Sequence, residues 1–440
     1  MSILDTPVEA TEHPMSDDTP VRPSKSAVRS LVELGLVVVS VVVLAVVTRQ
    51  VALLVVVVCL IVMIMLHELG HFLAAKHGKM KVTEYFLGFG PRLWSFRKGE
   101  TVYGVKAIPL GGYVKIPGMT NLEVVAPEDE ARTYREQPFR ARLLVAVAGS
   151  AMHFLMAFVL LWTLLTFVGV PNSNKVDVSQ VLDVGGKTGP AQAAGLRPGD
   201  VVVSVGGKDV AGNPETLISS IRNHPGEPIS FVVTRDGTRR TVTVTPVDGR
   251  TVHEQGVTVP PGSKAFGLIG ISLGAPTETL GPVTGLAHTV TGLAHYSWAS
   301  MVGVAHLFSP QATVQRFQNV TSAKAASQSA ADGTRVSSIV GAVQTATDAA
   351  RAGVAYLLGI LVAINLFVGI FNLFPMLPLD GGHVAIAIYE KIRTGRRNVR
   401  YHADVTKLLP YTWAMVAILG VLFTTTLLAD ILHPVANPFG

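Results

Sequence analysis

What this chain has little of constrains it before any motif is read. It carries one cysteine in 440 residues, Cys59, set inside an apolar run, so no internal disulfide can form. Charge is sparse as well: 15% of residues are charged and 49% are hydrophobic, where soluble domains average about 25% charged. That balance points away from a purely soluble protein and towards a membrane protein with room for at least one folded soluble domain. Basic residues number 36 and acidic ones 30, a net charge of +6, but the basic side chains lie beside apolar runs rather than in patches interleaved with aromatics. Orienting membrane spans is therefore their expected work, and nucleic acid is not an expected partner. A cleavable leader is not expected either: residues 1–30 are polar, contain proline and lack periodicity, which reads as a disordered cytoplasmic tail, and no A-x-A site closes the apolar run that follows.

Long apolar runs are what the chain does have. Leu31 to Leu66 is nearly continuous. As one helix it would be about 54 Å long against a hydrocarbon core of about 30 Å. Two spans, 31–48 and 51–77, turning at Thr48-Arg49-Gln50, are predicted instead. Further spans are expected over 143–170, 354–383 with a break at Pro375 and Pro378, and 408–428. Lys391, Arg393, Arg396, Arg397, Arg400 and Lys407 precede the last span and no Lys or Arg follows it, so that span should run outward from the cytoplasm. Counting back, residues 78–142 fall on the cytoplasmic side, 171–353 outside, and the N-terminus inside.

The outer segment contains one clear folded module. "GPAQAAGLRPGDVVVSVGGKDV" (189–210) and "ISFVVTRDGTRRTVTVTP" (229–246) read as a short helix, a turn at Pro198-Gly199-Asp200, and alternating strands with an Asp236-Gly237 hairpin. Over 172–248 this resembles a PDZ domain of the bacterial protease-associated type, through the A-G-L-x-P-G-D element at Ala194–Asp200; such domains bind peptides by strand addition. Residues 249–353 read as a linker and amphipathic helices. No internal repeat is visible.

The chemistry sits in "HELGH", residues 67–71, at the end of an apolar run. His67 and His71, four apart, lie one above the other on a helix, and Glu68 is close enough to serve a ligand held between them. H-E-x-x-H on a helix is the zinc-protease signature, two imidazoles for the metal and a glutamate that takes a proton from water. The plainer alternative, polar groups snorkelling to the interface, would not need three ionisable groups in this arrangement. A catalytic zinc takes three protein ligands and an open place. In "NLFPMLPLDGGH" (372–383) the candidate for the third is Asp380, at a broken helix end beside two glycines; taken alone, an Asp-Gly turn at the membrane surface would be the better reading.

"HELGH" and "NLFPMLPLDGG", with a PDZ-like module between them, resemble the site-2 protease family of intramembrane zinc metalloproteases, in the bacterial branch that cleaves membrane-anchored regulators. The resemblance covers about Val51 to Leu428. It implies a polytopic α-helical membrane protein of four to five transmembrane helices, a membrane-associated β-hairpin segment and an inserted extracytoplasmic α/β PDZ domain, in the inner (plasma) membrane. It implies Zn²⁺ on His67, His71 and Asp380, Glu68 as catalytic base, and Asn372 at the substrate or oxyanion, with Asn365 on about the same helical face. "EYFLGFGPRLWSFRKGETVYGVKAIPLGGYVKIPGM" (84–119) looks like the family's β-hairpin, whose G-F-G and P-L-G-G-Y-V-K elements carry Gly88, Gly90, Gly111 and Gly112; by resemblance it pairs with an unwound substrate, though an amphipathic surface hairpin remains the alternative. Implied partners are single-pass transmembrane substrates, peptides or substrate ectodomains at the PDZ domain, and lipid.

Two features depart from the pattern. Where the family has G-P-x-x-N-F, this chain has "GSAMHF", with Ser150 and His153, so His153 is a substitute polar contact or a hydrogen-bonder within the bundle rather than a ligand. The span 31–48 is additional. His77 is on the wrong helical face, His383 follows Asp380 closely but is set aside in its favour, and His288, His295 and His306 form an expected bundle-facing stripe. Rival functions are a catalytically silent PDZ scaffold, which would have no need of Glu68, and a zinc or ion transporter, for which inverted repeats would be the usual sign.

Overall fold

The computed structural model describes residues 27–119, 123–210, 212–252, 264–397, 401–435 and 437. Most of the expected N-terminal tail, and part of the expected linker after 249, lie outside them. Contacts divide the chain into two compact units, Met1–Leu160 with Leu293–Gly440, and Leu161–Gly292.

The first unit opens with α1 (Ala27–Val47) and α2 (Val51–His77), separated by a turn in which Arg49 takes a left-handed φ of 59°. α2 is apolar almost all round, and its buried side runs through Val56, Met63, His67, Gly70, His71 and Ala74, the three-to-four spacing of one helical face. Two long strands follow, β1 (Glu84–Lys98) and β2 (Thr101–Lys115). They do not make a plain hairpin. Glu84 pairs with both Val102 and Lys115, and Leu87 with both Val105 and Gly112, so the start of β1 is flanked on both sides by β2. The bend that allows this falls where Gly88 and Gly90 adopt φ of 84° and 82°, values that cost a side chain dearly and glycine nothing. Met80, Val82, Ile116 and Tyr134 pack with Ala74, Ala75, Val145 and Ala148 into one apolar cluster, joining the end of α2 to the start of α3 (Phe139–Thr163). α3 continues as a π-helical turn through Val168.

The second unit is a sheet domain. Its elements are β3 (Val170–Pro171), β4 (Val176–Val181), α4 (Pro190–Ala193), β5 (Val201–Val205), β6 (Lys208–Asp209), α5 (Pro214–Arg222), β7 (Ile229–Arg235), β8 (Thr238–Val244), β9 (Val247–Asp248), β10 (Gly267–Leu268), β11 (Ile271–Gly274) and β12 (Thr277–Glu278). The main sheet runs β11-β4-β5-β7-β8, with β6 on β5. Its core holds Val178, Val205, Leu217, Phe231 and Val233 at or near zero exposure. Asp236 and Gly237, both at positive φ, close the β7–β8 hairpin where the Asp-Gly signal predicted it. One boundary needs correction: the segment after 248, expected as linker, supplies β11, which pairs with β4 and becomes an edge of the sheet. A four-residue strand between glycines is too short to show alternation.

α6 (Pro282–Leu307) leads out of this unit. His288, His295 and His306 are exposed on it, while Thr289, Val304 and Leu307 are buried. The expected bundle-facing histidine stripe is thus wrong, because small and aliphatic side chains occupy the packed face.

Back in the first unit come α7 (Pro310–Thr321), α8 (Ala323–Ala331) and α9 (Ile339–Ala352), each started by a serine, Ser309, Ser322 or Ser338, whose hydroxyl accepts a first-turn N–H. α9 packs against α2 and against two later helices, α10 (Val354–Asn372) and α12 (Leu409–Leu432), so the expected linker contributes to the bundle. α11 (Asp380–Arg397) lies between those two in sequence; the expected span 354–383 is accordingly two helices joined by a turn. Among the described residues, four helices are long and apolar enough to cross a membrane, over Val51–His77, Phe139–Val168, Val354–Asn372 and Val405–Leu432; the apolar part of α1, Leu31–Val47, is shorter.

Candidate metal centre

α2 carries His67 and His71 side by side, their Nε2 atoms 3.2 Å apart. α10 stops at Asn372, a Pro-containing turn follows, and Asp380 opens α11, where free N–H groups and the helix dipole favour a carboxylate. Asp380 Oδ2 lies 3.5 Å from His67 Nε2 and 3.3 Å from His71 Nε2. The three donors form a nearly equilateral triangle. Zinc bonds of about 2.0–2.1 Å at the tetrahedral angle would separate donors by about 3.3–3.4 Å, so the residues fit the ion that their types suggest. Among the described residues, these three are the group of closely spaced donors able to hold a metal.

α3 completes the enclosure. The backbone carbonyl of Val145 accepts a hydrogen bond from His71 Nδ1 at 2.8 Å. That fixes the tautomer and leaves the Nε2 lone pair facing the triangle. Gly149 makes the room: a methyl group there would lie 2.4 Å from both His67 Cε1 and His71 Nε2. Gly70 does the same for the helices themselves, since a methyl on it would be 2.5 Å from the Ala148 carbonyl oxygen.

Glu68 Oε2 accepts the Val114 N–H at 3.0 Å, and a methyl on Gly112 would stand 3.2 Å from Glu68 Cγ. The last residues of β2 therefore lie directly on the glutamate, and Tyr85 reinforces the contact by donating to the Met65 carbonyl at 2.8 Å. Of the other glycines singled out, Gly88 and Gly90 bend the strand beside Ile108, and Gly111 lies under the Phe89 ring. The structure does not bring these three to the metal triangle.

His153 Nδ1 is 3.0 Å from Asn365 Oδ1, and Asn365 Nδ2 donates to the Leu361 carbonyl at 2.8 Å. The amide orientation makes Oδ1 the acceptor, so His153 Nδ1 carries the proton. Its ring lies 5.0 Å from that of His67. Asn365 thus reaches the centre through His153, Asn372 is the last residue of α10, and the His383 ring faces Tyr134 at 6.2 Å. Sequence reasoning missed Val114 and Val145, which act through backbone atoms and leave no side-chain signature, and Gly149, whose only signal was its place at the head of "GSAMHF".

Donors of this kind, among helices long and apolar enough to cross a membrane, are those of a membrane metalloprotein. Comparison with known proteins narrows this further: the model of peptidase family M50 matches residues 55–416, and the chain belongs to that family. It is 32% identical over 409 residues to the zinc metalloprotease Rip1 of Mycobacterium tuberculosis strain H37Rv, an alignment covering 86% of this chain and 96% of that protein. To the zinc metalloprotease RasP of Geobacillus kaustophilus it is 27% identical over 410 residues, covering 75% of this chain and 87% of the relative.

Proposed function

We propose that this chain cuts peptide bonds within the transmembrane segments of single-pass membrane proteins, with His67, His71 and Asp380 holding zinc and Glu68 acting as the base. That it is a multi-pass membrane zinc metalloprotease of the site-2 type follows from its family and its four apolar helices. The observation that carries the finer reading is the donor triangle with Glu68 one residue from its first member. Zinc, when bound, polarises a carbonyl and makes water more acidic. Glu68, oriented by the Val114 N–H, accepts the water proton at its free oxygen and returns it to the leaving nitrogen.

A substrate helix has its carbonyls tied up in i to i−4 bonds, so it must unwind before it can be cut. The segment at Gly112–Val114 lies beside Glu68 and suits pairing with an extended chain, as an added strand would. The sheet domain of the second unit is read as a PDZ module: a cavity of about 640 Å³ runs along its edge strand β11 and helix α5, lined by Leu182, Ile218, Ile221, Phe266, Ile271 and Leu273. An extended peptide or a trimmed substrate ectodomain would fit there. Membrane-anchored regulators and signal-peptide remnants are the substrate classes this predicts, with the sheet domain outside and β1–β2 on the cytoplasmic side. Glu68→Gln tests the reading: cleavage of a single-pass reporter should fall by about 10²–10⁴ while zinc stays bound, and cleavage at the wild-type rate would disprove it.

A further inference from the structure

We propose that Arg142 and Glu390 are positioning residues for the metal centre, a buried ion pair that sets where Asp380 sits relative to the two imidazoles. The proposal rests on the ligand assignment above and goes beyond it.

One stripe of α3 reads Arg142, Val145, Gly149 and His153, spaced three or four apart and so on a single helical face. The last three already touch the centre: Val145 holds His71, Gly149 gives the imidazoles room, and His153 packs on His67. Arg142 begins the same stripe, and its Nη1 donates to Glu390 Oε2. Both side chains are buried, 9% and 4% exposed. The other oxygen of Glu390 accepts the Ala403 N–H at 2.6 Å, and the Tyr134 hydroxyl donates to the Arg142 carbonyl at 3.2 Å. Glu390 lies on α11, the helix whose first residue is Asp380. A helix is a stiff rod, so anchoring α11 to α3 further along its length limits where its first residue can go. The only covalent tether on the other side is the turn over 373–379.

Stability alone gives no reason for such a pair, since exchanging a buried ion pair for apolar side chains of similar volume is often neutral or favourable. What the pair adds is direction. Its bonds hold α11 at one register on the helix that frames the imidazoles.

The test uses the full-length protein in lipid nanodiscs, with zinc affinity read by competition against a chromophoric chelator and the melting temperature of the zinc-free form read separately. Arg142→Met/Glu390→Met should melt near the wild type yet bind zinc about tenfold more weakly, at the lower end for residues outside the ligand shell. Glu390→Gln should shift zinc affinity the same way by less, and it decides the matter if the double variant does not fold. A purely structural role would lower the melting temperature and leave zinc affinity alone, and wild-type affinity in Glu390→Gln and in a folded double variant would overturn the proposal. Asp380→Ala separates the two levels: if it too binds zinc normally, the ligand assignment has failed, whereas if it alone is weakened, the ligands stand and the ion pair has no positioning role.

Discussion

Replacing Gly149 by alanine should damage the centre directly, because the new methyl meets both imidazoles. The added methyl would stand 2.4 Å from His67 Cε1 and His71 Nε2 and 2.7 Å from His67 Nδ1. Ordinary contact is about 3.4–4 Å, so the imidazoles or α3 must yield by about an ångström. Overpacking of this kind costs about 1–3 kcal/mol, and an ångström of misplacement at a reacting centre can cost about a hundredfold in rate. Zinc affinity, measured by chelator competition, should fall by at least tenfold, and cleavage of a single-pass reporter by about a hundredfold, equivalent to about 2.7 kcal/mol of barrier. Gly420→Ala on α12 is the control, since a methyl there meets nothing within 4 Å; it should leave both readouts unchanged. A Gly149→Ala protein that binds zinc and cleaves like the wild type would show that the imidazoles are not held against α3 as described.

Val114→Pro removes the N–H that Glu68 accepts from a segment whose inner edge alone pairs with β1; a lost hydrogen bond to a charged group is worth about 1.5–3 kcal/mol, so turnover should drop about ten- to a hundredfold at unchanged zinc affinity, and equal turnover would remove Val114 from the account. Stripping zinc with a chelator should abolish cleavage and lower the melting temperature, both restored by added Zn²⁺, while the Asp380→Ala protein should show no zinc-dependent change in melting. In the sheet domain, burial alone would raise the Asp200 carboxyl, but the Arg235 guanidinium on both oxygens and the Arg197 N–H bring it below the ordinary aspartate range. The sign follows: a depressed carboxyl stabilises the fold above the unfolded pKa and stops doing so as pH falls through the folded one. The protection factors of the β7 amides in the full chain, exchange rates divided into the intrinsic rate at each pH, should therefore fall below about pH 4, and Asp200→Asn should flatten that dependence; an unchanged pH profile in the variant would refute the assignment.

The sequence by itself determined what depends on local periodicity. Residues four apart on a helix must be neighbours, so the closeness of His67 and His71 was legible, as were the apolar lengths of the four spans, the Asp236-Gly237 hairpin and the strand alternation of the sheet domain. Sequence could offer Asp380 only as a candidate at a broken helix end, strengthened by resemblance, because its approach to the imidazoles depends on a turn between α10 and α11 and on which helices lie against each other. Tertiary structure alone decided that β2 folds back to set a backbone N–H on Glu68, that β11 closes the sheet edge, that the α6 histidines face outward, and that one stripe of α3 serves both imidazoles and the Arg142–Glu390 pair. The physical reason is the same in each case: a backbone group that donates, a missing methyl that makes room, and a contact between residues 248 positions apart acquire meaning only when another element is packed against them.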